Sequence, residues 1–118
     1  MPRKPKILIV EDRVQDMNLT IRSITKAGYD VDIVKARHGV EAIEILERAD
    51  DRRPDLVLLD WMLPLKSGDE VLAHIRSCPR LKTVPVIVLT TSRDEDDLNT
   101  AWGLGCSAYM AKPVNHQE

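Results

Sequence analysis

Three stretches of this chain are uninterrupted apolar runs, and each ends abruptly on a polar residue. Ile7-Leu8-Ile9-Val10 stops at Glu11-Asp12, Leu56-Val57-Leu58-Leu59 stops at Asp60, and Val86-Ile87-Val88-Leu89 stops at Thr90. Four apolar residues without alternation predict a strand buried on both faces, as in the middle of a parallel sheet. Val31-Asp32-Ile33-Val34 alternates and predicts a more exposed edge strand, and Cys106 to Met110 predicts a last short one.

Between these runs the apolar spacing changes to three and four. Val14, Met17, Ile21 and Ile24 predict a helix from Val14 to Lys26 with one stripe on the sheet, closed by Gly28. Val40, Ala42, Ile43 and Leu46 place a second helix over Gly39 to Ala49, and Asp50 to Arg53 reads as a charged loop. Val71, Leu72 and Ile75 belong to a third helix that Pro79 closes. Ser92 with Glu95 has capping-box spacing, so a fourth helix is expected from about Arg93 to Gly103 or Gly105. Its acidic start, Asp94 to Asp97, suits the helix dipole.

Five strands alternating with four helices predict a doubly wound α/β fold with a five-stranded parallel sheet. In the flavodoxin-like order 2-1-3-4-5, the first and third strands are neighbours at the point where the winding reverses. Glu11, Asp12 and Asp60 then meet at one sheet edge, and Thr90 and Lys112 arrive there from the next two strands. Pro64 makes the chain turn soon after Asp60.

Composition narrows the function classes. At 118 residues the chain has room for one domain, 1–118. A net charge of −2 argues against a nucleic-acid footprint, and no apolar run approaches a membrane span or a signal region. A cytoplasmic location is expected. Cys78 and Cys106 stand alone, His38, His74 and His116 form no ligand pattern, and the absence of Phe makes the core aliphatic.

Three carboxylates at one edge repel one another unless a cation joins them, and hard oxygen ligands suit Mg²⁺. A lysine and a threonine hydroxyl beside them complete a site for phosphoryl transfer, with an aspartate able to act as nucleophile. Taken singly, each residue has a plainer explanation. Glu11-Asp12 could simply favour a helix N-terminus, Thr90 could be a strand former, Lys112 a solvated charge, and Tyr109 a half-buried strand aromatic. Their joint order at successive strand ends favours the site.

Those residues, with Met62-Leu63-Pro64, Gly68 and Lys112-Pro113, resemble the receiver domain of two-component response regulators over nearly the whole chain. Thr90-Thr91-Ser92 and the following Arg93 to Asp97 are most similar to stand-alone regulators paired with bacterial phytochrome kinases. The resemblance implies a phosphoacceptor switch whose Asp60 takes a phosphoryl group from a sensor histidine kinase. It implies Mg²⁺ on Asp12, Asp60 and the Met62 backbone carbonyl, with Glu11 assisting through water. Lys112 would pair with the phosphoryl oxygens, and its bond to Pro113 would be cis. Thr90 would swing toward the phosphoryl group and Tyr109 would follow, changing the surface read by a downstream protein target. Met62 and Ser92 would flank the approach of water and tune the phosphoryl lifetime.

The same resemblance implies a fifth helix after Lys112-Pro113, but only Val114 to Glu118 remain. Most of that helix is therefore expected to be missing, leaving Ile and Leu side chains exposed on one sheet face. Either the chain is trimmed, or a partner or second copy, giving a homodimer, covers the gap. The alternative function is a haloacid-dehalogenase-like phosphohydrolase, which also uses an aspartyl phosphate and Mg²⁺. That family needs a second acid two residues after its nucleophile, where this chain has Met62. A flavin or redox module on the same fold would want a hydroxyl-rich phosphate loop or a CxxC pair, and neither is present.

Overall fold

The computed structural model describes residues 4–48, 52–92 and 94–112. Five strands, β1 (Lys6–Val10), β2 (Asp32–Ala36), β3 (Leu56–Asp60), β4 (Val86–Thr90) and β5 (Ala108–Ala111), alternate with four helices. The helices are α1 (Val14–Lys26), α2 (Gly39–Leu46), α3 (Gly68–Ser77) and α4 (Glu95–Gly103). All strand pairs are parallel, in the order β2-β1-β3-β4-β5. This is the expected winding, with β1 and β3 adjacent at its reversal.

Strand alternation divides the core into two layers. Leu8, Val10, Val57, Leu59, Val86 and Val88 face one side and are packed against Ala42 and Leu46 of α2, Val71, Leu72 and Ile75 of α3, and Ala101 of α4. This layer also takes Trp61, so the larger core is almost wholly aliphatic. Ile7, Ile9, Leu58 and Leu89 face the other side, where Met17, Ile21 and Ile24 of α1 cover them. Among the described residues α1 is the only helix on that face. A groove of about 490 Å³ remains beside it, lined by Ile7, Ile24, Tyr29, Val31, Leu56 and Leu58. Leu56 and Ile87 are only half-buried on this face, and Met110 is 47 % exposed.

Several boundaries differ from the periodicity reading. Val14 opens α1 but is 59 % exposed; Met17, Ile21 and Ile24 pack on the sheet as their spacing predicted, with Thr20 and Ser23 buried beside them. The second strand is shifted forward to Asp32–Ala36, because the parallel ladder to β1 continues to the Val10–Ala36 pair. Helix α2 ends at Leu46, where Glu47 caps it; Ala49 lies outside the described residues. Cys106 is buried and precedes β5 rather than opening it. Gly28 follows the Ala27 cap of α1 at φ +87°, as its position suggested.

The start of α4 is a clear correction. Asp94, rather than Ser92, is its N-cap, accepting from the Asp96 N–H at 2.9 Å. Ser92 and Glu95 form no capping box. Ser92 Oγ instead donates to Asp97 Oδ2 at 2.7 Å and accepts from the Asp94 N–H at 3.1 Å. The cis Lys112–Pro113 bond and the missing last helix, both expected from the sequence, concern residues 113–118, outside the described residues.

Candidate functional site

Parallel strands all present their carboxyl ends at one edge, so the first residues beyond each strand set the chemistry there. Glu11 is held just past β1 by its N–H, which donates to the Ala36 carbonyl at 2.9 Å. Asp60 is the last residue of β3. Lys112 comes directly after β5, its N–H donating to the Thr90 carbonyl at 3.0 Å, so the ends of β4 and β5 are tied by one more ladder bond.

These positions bring the side chains together. Lys112 Nζ pairs with Glu11 Oε1, with Asp16 Oδ2 at 2.9 Å and with Asp60 Oδ2 at 3.5 Å. Its side chain is 8 % exposed, so the plain reading of a solvated lysine is excluded. Glu11 and Asp60 are buried and Asp12 is exposed, yet all three offer carboxylate oxygens within 4.8 Å of one another. Asp12 and Asp60 open onto an acid-walled cleft of about 150 Å³, lined also by Arg13, Asp16, Met62, Thr91 and Lys112.

Burial dominates the ionisation of this cluster. It pushes the Glu11 carboxyl up to about 7, against the opposing pull of Lys112 and of the Arg13 N–H. Burial likewise raises Asp60, although Lys112 and the Met62 N–H at 3.3 Å favour its charged form. For Lys112, burial works against the charge, but Glu11, Asp16 and Asp60 outweigh it and raise the pKa. One lysine therefore faces more carboxylate than it can neutralise. That surplus of oxygen donors fits a divalent cation, since Glu11, Asp12 and Asp60 can share one ion.

The loop after Asp60 forms one wall of the cleft and is gripped at two glycines. A Cβ on Gly68 would come within 2.8 to 2.9 Å of Trp61 Cα and the Asp60 and Trp61 carbonyls; one on Gly39 would lie 1.9 Å from the Lys66 carbonyl oxygen. Between them Leu65 takes φ +66°, a left-handed conformation costly for a branched side chain. Trp61 turns into the core while Met62 is exposed beside the cleft.

Thr90 is fully buried, and its Oγ1 accepts from the Ser92 N–H at 2.9 Å. Tyr109, paired in register with Val88, is half-buried, and its enclosed hydroxyl has no hydrogen-bond partner among the described residues. Burial pushes that phenol up, with Asp97 adding to the effect. The sequence reading missed Asp16, a direct partner of Lys112. Its only sequence signal is its place one turn beyond Asp12, on the face of α1 that meets the strand ends.

No second acid stands beside Asp60 at position 62, so nothing in the cleft favours the haloacid-dehalogenase alternative. No helix among the described residues is long and apolar enough to cross a membrane.

Comparison with known proteins agrees with this geometry. Residues 7–118 match the family described as the response regulator receiver domain. The response regulator Rcp1 of Synechocystis sp. is 39 % identical over 113 residues, covering 92 % of this chain and 77 % of that protein. The crystal structure of the phosphorylated cyanobacterial phytochrome response regulator RcpA superposes with a TM-score of 0.88 at 40 % identity, over 98 % of this chain and 85 % of that one. The Mn²⁺-bound form of Rcp1 gives 0.86 at 39 % identity with the same coverages. With its strand order and carboxylate edge already in place, the chain belongs to the response regulator receiver family and is a phosphoacceptor signalling switch of the two-component type.

Proposed function

We propose that Asp60 is the phosphoacceptor and that a sensor histidine kinase supplies the phosphoryl group. The observation that carries this reading is the convergence of Lys112 on Asp60 and Glu11 at the strand ends, with Asp12 open to the cleft. In the reaction, an Asp60 oxygen bonds to phosphorus as the phosphorus–nitrogen bond of a phosphohistidine breaks. The imidazole nitrogen leaves with the electron pair, and Asp60 becomes an acyl phosphate. Lys112 is already within 3.5 Å of Asp60 and would move from carboxylate to phosphoryl oxygens. Glu11, Asp12, Asp60 and the Met62 backbone carbonyl would hold Mg²⁺, which neutralises charge on the transferring group.

Thr90 and Tyr109 are the switch pair in this reading. Thr90 has a hydroxyl proton to offer a phosphoryl oxygen, and the enclosed Tyr109 hydroxyl beside it is poised to change surroundings when Thr90 does. The rearranged α4–β5 surface would then be read by a downstream protein. The phytochrome regulators among the relatives support a phytochrome-type kinase as donor, and a cytoplasmic location goes with such a donor. A homodimer through the α1 face would cover the Leu56–Ile87 surface.

The test is intact mass after incubation with Mg²⁺ and acetyl phosphate. A single Mg²⁺-dependent phosphoryl adduct is expected, absent in Asp60→Asn. An adduct that persists in that variant would place the acceptor elsewhere and end this assignment.

A further inference from the structure

The turn between β4 and α4 contains a side-chain tie that the phosphoryl-transfer roles do not use. Thr90 Oγ1 is fixed by the Ser92 N–H, and Ser92 Oγ is fixed in turn by Asp97 Oδ2 at 2.7 Å and the Asp94 N–H at 3.1 Å. Asp94 anchors the same segment by capping α4 through the Asp96 N–H. A chain of hydrogen bonds thus runs from the switch threonine to the first turn of α4. We propose that Asp97 is a positioning residue, holding the β4–α4 turn through Ser92 so that Thr90 rests away from Asp60 until a phosphoryl group draws it in.

For Thr90 Oγ1 to travel toward Asp60, its 2.9 Å bond from Ser92 must break, or the turn must move with it. The turn cannot move freely while Ser92 is bonded to a carboxylate carried by α4. A hydrogen bond to an ionised acceptor is among the stronger ones available to a hydroxyl, and this pair is half-buried rather than fully solvated. The Asp97 charge also adds to burial in raising the Tyr109 phenol, the other half of the switch. One carboxylate therefore acts on both residues that are to move. Removing it weakens the resting state relative to the engaged one, and a bond of this type corresponds to a change of about tenfold in that balance.

The Asp97 role rests on Asp60 being the acceptor, and the experiment separates the two. In the full chain, Asp97→Ala, Asp97→Asn and Ser92→Ala are compared with the parent for amide exchange at Ser92 and Asp94, and for the rate of Mg²⁺-dependent phosphorylation by acetyl phosphate. Asp97→Ala is expected to speed exchange at both amides and to phosphorylate about five- to tenfold faster. Asp97→Asn keeps an oxygen that can accept from Ser92 but loses the charge, and should fall between the parent and Asp97→Ala. Ser92→Ala cuts the same tie without altering the charge of α4, so a fold disturbed by the Asp97 change does not decide the matter. Unchanged exchange in Asp97→Ala and Ser92→Ala, or faster exchange with an unchanged rate, overturns the proposal; so does an Asn variant as fast as the Ala one. A parent that takes no phosphoryl group at all overturns the Asp60 assignment, and the Asp97 role with it. A phosphorylated parent with identical variant rates overturns only Asp97.

Discussion

Replacing Glu11 by Gln tests the electrostatics of the cleft without any phosphoryl donor. The Glu11 carboxyl is 4 % exposed, and burial holds it near 7 rather than 4.5, despite Lys112. Between those two values the unfolded chain has lost a proton that the native state keeps. The native state therefore binds more protons, and stability falls as pH rises through the window, levelling off above about 7. At about 1.36 kcal/mol per pH unit, the full loss from pH 4.5 to 7 is about 3 kcal/mol. Asp60, also raised by burial, adds to the loss with the same sign. Glutamine has the shape of the protonated acid and cannot ionise, so Glu11→Gln should flatten the curve and leave the variant the more stable protein at about pH 8. Urea denaturation at intervals from about pH 5 to about pH 8 in chelator-treated buffer measures this, with a constant slope confirming an unchanged transition. Millimolar Mg²⁺ should restore parent stability at the alkaline end and do less for the variant. Parallel curves for the two proteins across that range would refute the reasoning.

The same contacts predict three further outcomes. Lys112→Met removes the cation shared by Glu11, Asp16 and Asp60 and leaves buried carboxylates opposed only by one another; a loss of about 3 to 5 kcal/mol is expected at about pH 8, and a smaller one at about pH 5, by thermal or urea unfolding. Gly68→Ala pushes a methyl against Trp61 Cα and two carbonyls, and should cost about 1 to 3 kcal/mol while weakening Mg²⁺ binding followed by Trp61 fluorescence. Ile75→Ala empties a fully buried place under α3 and should cost about 2 to 5 kcal/mol with Mg²⁺ affinity unchanged, separating damage to the core from damage to the cleft.

The sheet and its carboxylate edge were legible because buried parallel strands leave an unusually direct imprint. Each central strand is a closed apolar run, and the first polar residue after it marks the edge where ligands bind. Right-handed crossovers left few ways to wind five such strands, and the flavodoxin-like order 2-1-3-4-5 was one of them. The features that failed were those decided by a partner elsewhere. Val14 has the right spacing for the buried stripe, yet it stays 59 % exposed while Met17, one turn on, is buried. Ser92 and Asp94 are both good capping residues, each with an acid three positions on; only the path of the turn selects Asp94 as cap and turns Ser92 toward Asp97. Asp16 reads as an ordinary first-turn acid until Lys112, 96 residues later, arrives within 2.9 Å of it.

The two glycine contacts on the loop after Asp60 also limit how this chain can diverge. Because Gly39 touches Lys66 and Gly68 touches Asp60 and Trp61, the segment from Trp61 to Ser67 is measured off between fixed points on two helices. An inserted or deleted residue there would have to displace α2 or α3 rather than bulge into solvent. Side chains such as Met62 and Leu65 project outward and can be exchanged at little cost to packing. The length of the segment should be held constant while its chemistry drifts, so relatives can retune the rim of the cleft residue by residue without re-engineering the frame that carries it.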